Sequence, residues 1–143
     1  MNLINRFLRL TAAVLLLAGM TLSARAFDPG ERPLIPVGVS DGQTIRVVAW
    51  NTSTNRQVKI SVKFIDAEGN LVLSLDPATI AAGKIATFDL ARAAINNESG
   101  REQIRPVAIL GDRASAGLIH VTIEVFNNDD GKTTVLWDGP PAL

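Results

Sequence analysis

Gln57-Val-Lys-Ile-Ser-Val-Lys-Phe-Ile-Asp66 is the stretch that decides the fold. Val58, Ile60, Val62 and Phe64 alternate with Lys59, Ser61 and Lys63, and a period of two sends the apolar side chains to one side of an extended chain and the polar ones to the other. This is a strand with one buried face. Residues 118–126 repeat the pattern, with Ile119, Val121, Ile123 and Val125 pointing one way and His120, Thr122 and Glu124 the other. Parallel sheets covered on both faces read as continuous apolar runs, so one-sided alternation argues for antiparallel sheets. Two stacked sheets hide such faces.

Shorter strand signals flank these two at spacings that suit a sandwich or barrel. Residues 34–39 form a first short strand ended by Ser40-Asp41-Gly42. Residues 43–50 follow, with Ile45, Val47 and Ala49 on one face and Arg46, Val48 and Trp50 on the other; Asn51-Thr-Ser-Thr-Asn55 is a loop. Asp66-Ala-Glu-Gly-Asn70 turns the chain into a returning strand at 71–75, with Gly69 or Asn70 able to take positive φ. Asp76-Pro77 opens a connection. A strand at 84–90 buries Ala86, Phe88 and Leu90, and Asp89 is placed to cap a short helical turn over 90–95 that Asn96, Asn97 and Gly100 end. Pro106 within 104–110 lacks a backbone donor and favours an edge, a bulge or a late start to pairing. Gly111 to Gly117 reads as a loop, Asn127-Asn-Asp-Asp-Gly131 as a hairpin turn, and 132–137 as the last strand. The expected fold is an all-β, immunoglobulin-like antiparallel β-sandwich of seven or eight strands. Its expected core comprises Val58, Ile60, Val62, Phe64, Phe88, Ile119, Val121, Ile123 and Val125.

Ahead of that domain, MNLINRFLRLTAAVLLLAGMTLSARA (1–26) reads as a signal peptide: Arg6 and Arg9 are basic, 10–22 is mainly apolar, and Ala24-Arg25-Ala26 is an A-x-A cleavage site. The apolar run is short for a bilayer-spanning helix. The expectation is export, periplasmic or extracellular, with residues 27–143 as one domain and no membrane anchor in the mature chain. Arg6, Arg9 and Arg25 are three of the 14 basic residues, which leaves 11 against 14 acidic ones, a net charge near −3. A nucleic-acid or anionic-membrane partner needs clustered positive charge and is not expected. There is no cysteine, so packing alone stabilises the fold.

Val37-Gly-Val-Ser-Asp-Gly-Gln-Thr-Ile-Arg46, Val58 to Phe64 running into Asp66-Ala-Glu-Gly-Asn-Leu71, and Ala81-Ala-Gly-Lys-Ile-Ala-Thr-Phe-Asp-Leu90 resemble small exported bacterial immunoglobulin-like domains of uncharacterised function. Those domains share a glycine-glutamine-threonine turn, a phenylalanine-x-aspartate-x-x-glycine hairpin and a proline-glycine turn. Here Ala82-Gly83 replaces the last of these. The resemblance covers most of 34–126 and implies a fold and a compartment; it carries no catalytic or binding residue.

Chemistry-bearing motifs are few. Nucleophilic catalysis needs an activated nucleophile beside a base, and the single histidine, His120, lies on a polar strand face. One histidine and no cysteine make a zinc site unexpected. Asp66 to Asn70 and Asn127 to Gly131 carry oxygen ligands suited to calcium but lack EF-hand spacing, and both sit where a hairpin needs turn residues. No metal, cofactor or catalytic residue is assigned, and the protein reads as non-enzymatic. Asn51-Thr-Ser53 and Asn97-Glu-Ser99 match the glycosylation tripeptide but read as ordinary loops. Arg101, Arg105 and Arg113 could gather at one end around an anion, although scattered arginines on a near-neutral domain are usually solvated or paired. Trp50 and Trp137 could each stack against a sugar or a peptide, although tryptophan's average burial favours packing at the ends of the core. The functional expectation is a recognition or structural domain that binds a protein or extracellular polymer through loops or an edge strand, the structural role being assembly by an exposed edge strand that joins a neighbour's sheet. The partner-binding candidates are Trp137, Val135 and Trp50, and the candidate edges are 104–110 and 132–137. The alternative is a carbohydrate-binding or carbohydrate-active accessory module of the cell envelope, for which two carboxylates facing a cleft would be the sign.

Overall fold

The computed structural model describes residues 30–95 and 99–138; the leader (1–26) and the last five residues lie outside this range. Among the described residues, ten antiparallel strands form two packed sheets: β1 (Glu31–Pro33), β2 (Val37–Val39), β3 (Gln43–Asn51), β4 (Val58–Ile65), β5 (Leu71–Ser74), β6 (Ala78–Ile80), β7 (Ile85–Ala91), β8 (Glu102–Leu110), β9 (Ile119–Asn127) and β10 (Thr133–Asp138). The first sheet has the order β1-β8-β4-β5, with β2 also on β8 and β6 also on β4; the second has the order β10-β9-β3-β7. The protein is an all-β sandwich.

The expected seven or eight strands become ten because β1 and β6 are added, each of three residues and each followed or preceded by proline-containing chain. Each shares a lateral position with a neighbour. β1 and β2 line successive stretches of β8, at 107–109 and 102–104, and β5 and β6 do the same along β4. Alternation places the core as expected: Val58, Ile60, Val62 and Phe64 of β4 are buried, as are Phe88, Ile119, Ile123 and Val125, while Val121 is half-buried against the cluster. Phe64, fully enclosed, contributes about 2–3 kcal/mol by leaving water.

Three local expectations need correction. Pro106 does not mark an edge, since β8 is central, with β4 on one side and β1 and β2 on the other. A strand residue's N–H and C=O point to the same side, and the Pro106 carbonyl accepts from the Leu34 amide at 2.9 Å. The missing donor therefore faces residues 34–36, where β1 has ended and β2 has not begun. Asp89 does not cap the short helical turn. That turn is a 3-10 turn at Arg92–Ala94 whose cap position, Ala91, makes no side-chain bond, and Asp89 is held by Arg46 instead. The 111–117 loop contains a second 3-10 turn, Arg113–Leu118. Arg92 is 2% exposed yet satisfied, donating Nε to the Gly100 carbonyl at 3.1 Å and pairing with Asp41 and Glu102 at 3.8 and 3.7 Å. It ties the turn to the start of β8.

Candidate functional site

Register sorts the three partner-binding candidates into two environments. In β3, Ile45, Val47 and Ala49 are buried, so Arg46, Val48 and Trp50 rise from the outer face. Trp50 stands 45% exposed there, opposite Ile85 of β7, itself 61% exposed, and opposite His120 of β9. The Trp50 and His120 rings meet edge-to-face, with centroids 6.5 Å apart and planes at 74°, a favoured aromatic geometry. Packing of Trp50 at the end of the core is thus overturned. Val135 and Trp137 have the opposite parity: both are half-buried against the core, opposite Val125 and Ile123. They pack against the sandwich core from its inner side.

The outer face continues as ordered rows. Val48 lies between Thr87 and Thr122, and Arg46 between Asp89 and Glu124, with Leu136 beyond Glu124. Arg46 grips Asp89 with two bonds, Nε to Oδ1 at 2.8 Å and Nη2 to Oδ2 at 2.7 Å, and its guanidinium sits 4.8 Å over the Phe126 ring. The Asp89 hydrogen bonds hold the Arg46 proton more firmly than usual. Thr133 donates its hydroxyl to Glu124. One end of this face is aromatic and nearly uncharged, and the other is charged but internally paired.

Of the two candidate edges, 104–110 is interior, while β10 lies at the rim of the second sheet. The Asn127 amide donates to the Lys132 carbonyl at 3.0 Å, so alternation turns the Val135 amide, opposite Val125, inward to β9. The outward amides belong to Thr133 and Leu136. Val135 is therefore not an edge donor. The register also shifts between Thr133 and Val135, a bulge that twists this rim.

Arg101 lies over Gly38 so closely that a Cβ there would come within 2.0 Å of its Nε. Arg105 lines a shallow cleft of 280 Å³ with Pro36, Asp66, Ala67, Gly69 and Gln103. The Arg113 side chain lies outside the described residues. Asp66, the cleft's carboxylate, accepts from the Asn70 side chain and backbone at 3.0 and 2.7 Å, and these bonds hold its pKa below the ordinary carboxylate range. A second cleft, of 260 Å³, has no carboxylate among its lining residues Lys59, Ile60, Ser61, Pro77, Ile109 and Gly111. Neither holds a carboxylate pair. In the 127–131 turn, Asn127 Oδ1 accepts from the Asp129 amide and Asp130 Oδ1 from the Lys132 amide, and Gly131 adopts φ 69°. Among the described residues no group of three or more metal-ligating side chains converges.

Asn51 does not begin a loop: it ends β3 and is completely buried. Its Nδ2 donates to the Arg56 carbonyl at 2.7 Å and the Ile80 carbonyl at 3.0 Å, while its Oδ1 accepts from the Ser53 amide at 3.0 Å. Its amide nitrogen is thus enclosed and committed, which leaves no room for a glycan in the folded domain. Asn97, of the other tripeptide, lies outside the described residues. Inward parity after Ile45, Val47 and Ala49 was the available signal.

The chain matches no protein-family model, and comparisons with curated proteins and with solved structures likewise find no match. The assignable class is that of an all-β sandwich of two antiparallel sheets. No helix among the described residues is long and apolar enough to cross a membrane.

Proposed function

We propose that this is an exported, non-enzymatic recognition domain that binds a protein or extracellular polymer through the aromatic end of its second sheet. The observation that carries the reading is Trp50, held outward between Ile85 and His120 on a rigid three-strand platform. Exposing a large aromatic ring forgoes burial energy, and flat aromatic rings are well suited to stacking on sugar rings or apolar peptide groups. Thr87 and Thr122, one row away, add hydroxyls that hydrogen-bond without net charge.

Export follows from the leader's charge, apolar run and A-x-A site. An immunoglobulin-like kinship is part of the same proposal. It is supported by the pairing of β3 with β7 and of β4 with β8, equivalent to the B–E and C–F pairs of that fold. The terminal strands differ: β1 and β2 lie beside β8, and β9 lies beside β3.

The test is retention of the exported protein on cell-envelope polysaccharides and on immobilised envelope proteins, comparing wild type with Trp50→Ala and with Leu71→Ala, an exposed change on the other sheet. Trp50→Ala should reduce retention about tenfold, a loss of about 1.4 kcal/mol, with the melting temperature little changed; Leu71→Ala should match wild type. Equal retention by all three proteins would refute the role of Trp50. Selective loss on polysaccharide alone would favour the carbohydrate-binding alternative.

A further inference from the structure

We infer that β7 is a self-pairing edge, through which the domain associates with a second copy of itself in an antiparallel dimer centred on Phe88. This does not rest on the Trp50 reading. It begins from how the four lateral edges are treated. A free strand edge invites further pairing, and proteins usually blunt it with short strands, proline, bulges or lysine. The β1/β2 edge is split, with Pro33 and Pro36 at the break; the β5/β6 edge is split at Pro77; β10 is bulged between Thr133 and Val135. β7 is neither short, bulged nor broken by proline, and its one charged residue, Asp89, is paired with Arg46. It runs seven residues without proline, glycine or lysine, in unbroken register with β3, and no described strand pairs with its other side.

Alternation shows which groups that edge presents. The Asn51 amide donates to the Lys84 carbonyl at 2.9 Å, so Lys84 points its backbone toward β3, as do Ala86, Phe88 and Leu90 by alternation. Ile85, Thr87, Asp89 and Ala91 therefore turn their amides and carbonyls outward. A two-fold axis through Phe88 sets Ile85 opposite Ala91 of the other copy and Thr87 opposite Asp89, each pair occurring twice. All four are hydrogen-bonded positions, giving about eight backbone bonds at two per pair.

The side chains match in the same register. Ile-Ala-Thr-Phe-Asp-Leu-Ala is symmetric in character about its centre. On the outer face, exposed Ile85 meets an alanine methyl, and the Thr87 hydroxyl meets a carboxylate that it can donate to. On the inner face, Ala86 faces Leu90, and Phe88 faces its own copy, so apolar meets apolar throughout. Moving the axis by one residue is unfavourable either way: at Asp89 it opposes two aspartates, and at Thr87 it sets the Asp89 carboxylate against the exposed apolar Ile85. The strand's chemistry thus selects both a second copy as occupant and one register.

The test is sedimentation velocity on protein recovered from an exporting host, up to about 100 µM, which detects a dimer with a Kd as weak as about 100 µM. A monomer–dimer equilibrium is expected. Thr87→Pro removes an outward amide while leaving the β3 ladder intact, as edge prolines do, and should abolish the dimer. Thr87→Asp opposes Asp89 of the other copy and should raise the dimer Kd at least about tenfold, while Thr87→Lys should not. Because the chain has no cysteine, mixing Ile85→Cys with Ala91→Cys reports the register directly and does not depend on the proline variant folding: mild oxidation should cross-link the two variants far more than either alone. Trp50→Ala should leave the dimer intact, which separates this outcome from failure of the recognition face. A strictly monomeric protein over the whole range would overturn the inference. So would a dimer that Thr87→Asp leaves unchanged, or one that the two cysteine variants do not cross-link.

Discussion

Asn51→Asp exchanges one nitrogen for oxygen at a site with no exposure, and its consequence can be worked out bond by bond. The asparagine donates twice, to the Arg56 and Ile80 carbonyls, and accepts once, from the Ser53 amide. An ionised aspartate retains the accepted bond but aims an anionic oxygen at two carbonyl oxygens. Removing the side chain with Asn51→Ala sets the scale: three bonds at about 1 kcal/mol each, plus a Ser53 amide left buried without its acceptor, come to about 3–5 kcal/mol. That is about a fifth or more of the about 5–15 kcal/mol available to a domain of this kind. In the aspartate variant, burial and the two carbonyls push the carboxyl pKa above its unfolded value of about 3.9. Stability relative to wild type is then greatest below that value and falls by about 1.4 kcal/mol per pH unit as pH rises toward the folded pKa. Urea unfolding at pH 4, 5.5 and 7, followed by tryptophan fluorescence, measures this difference. A wild-type-minus-variant gap that stays constant across the three pH values, or an Asn51→Ala cost below about 1 kcal/mol, would refute the reasoning.

Val62→Asp buries an unpaired carboxylate at a site with 0% exposure and should cost more than about 4 kcal/mol, while Lys63→Asp, which breaks a half-exposed pair with Glu31, should cost about 1 kcal/mol; denaturant midpoints give the comparison. Asp66→Asn should flatten part of the acid limb of the stability curve. The lowered Asp66 pKa, caused first by the Asn70 side chain, contributes stability above about pH 3.9 that is lost as pH falls through the folded value, as thermal melts from pH 2 to 6 would show. Val135→Pro removes an inward amide and should release β10 from β9, whereas Leu136→Pro removes an outward one; amide exchange across 123–127 should rise only in the first. The intact mass of exported protein should correspond to a chain beginning at Phe27.

The sandwich was legible wherever an alternation ran long enough to have a face. β4 and β9 show this best, because four apolar residues at spacing two admit one reading. β1 and β6 were not legible, since three residues show no period and their pairing depends on strands far away in sequence. Pro106 was misplaced for a related reason: a missing donor excludes pairing on one side only, and the side is set by a break in another strand. For the candidate site, parity was the better guide than residue type. Trp50 shared a face with Arg46, which indicated exposure, yet the average burial of tryptophan pointed inward. Trp137 shared a face with Val135, and both went in. The β7 edge could not be read at all, because lateral position belongs to topology.

The place of β9 beside β3 has a kinetic consequence. Gln43 lies opposite Asn127, and β3 gains its second neighbour only when the C-terminal hairpin arrives. Until then a growing chain can form β3 against β7 but leaves half of the second sheet's apolar interior uncovered. Closing a loop of such length before any contact rewards it slows folding. An amino-terminal fragment has little to gain by collapsing early. Commitment comes late, and the last hairpin, β9 with β10, is what locks the two layers together.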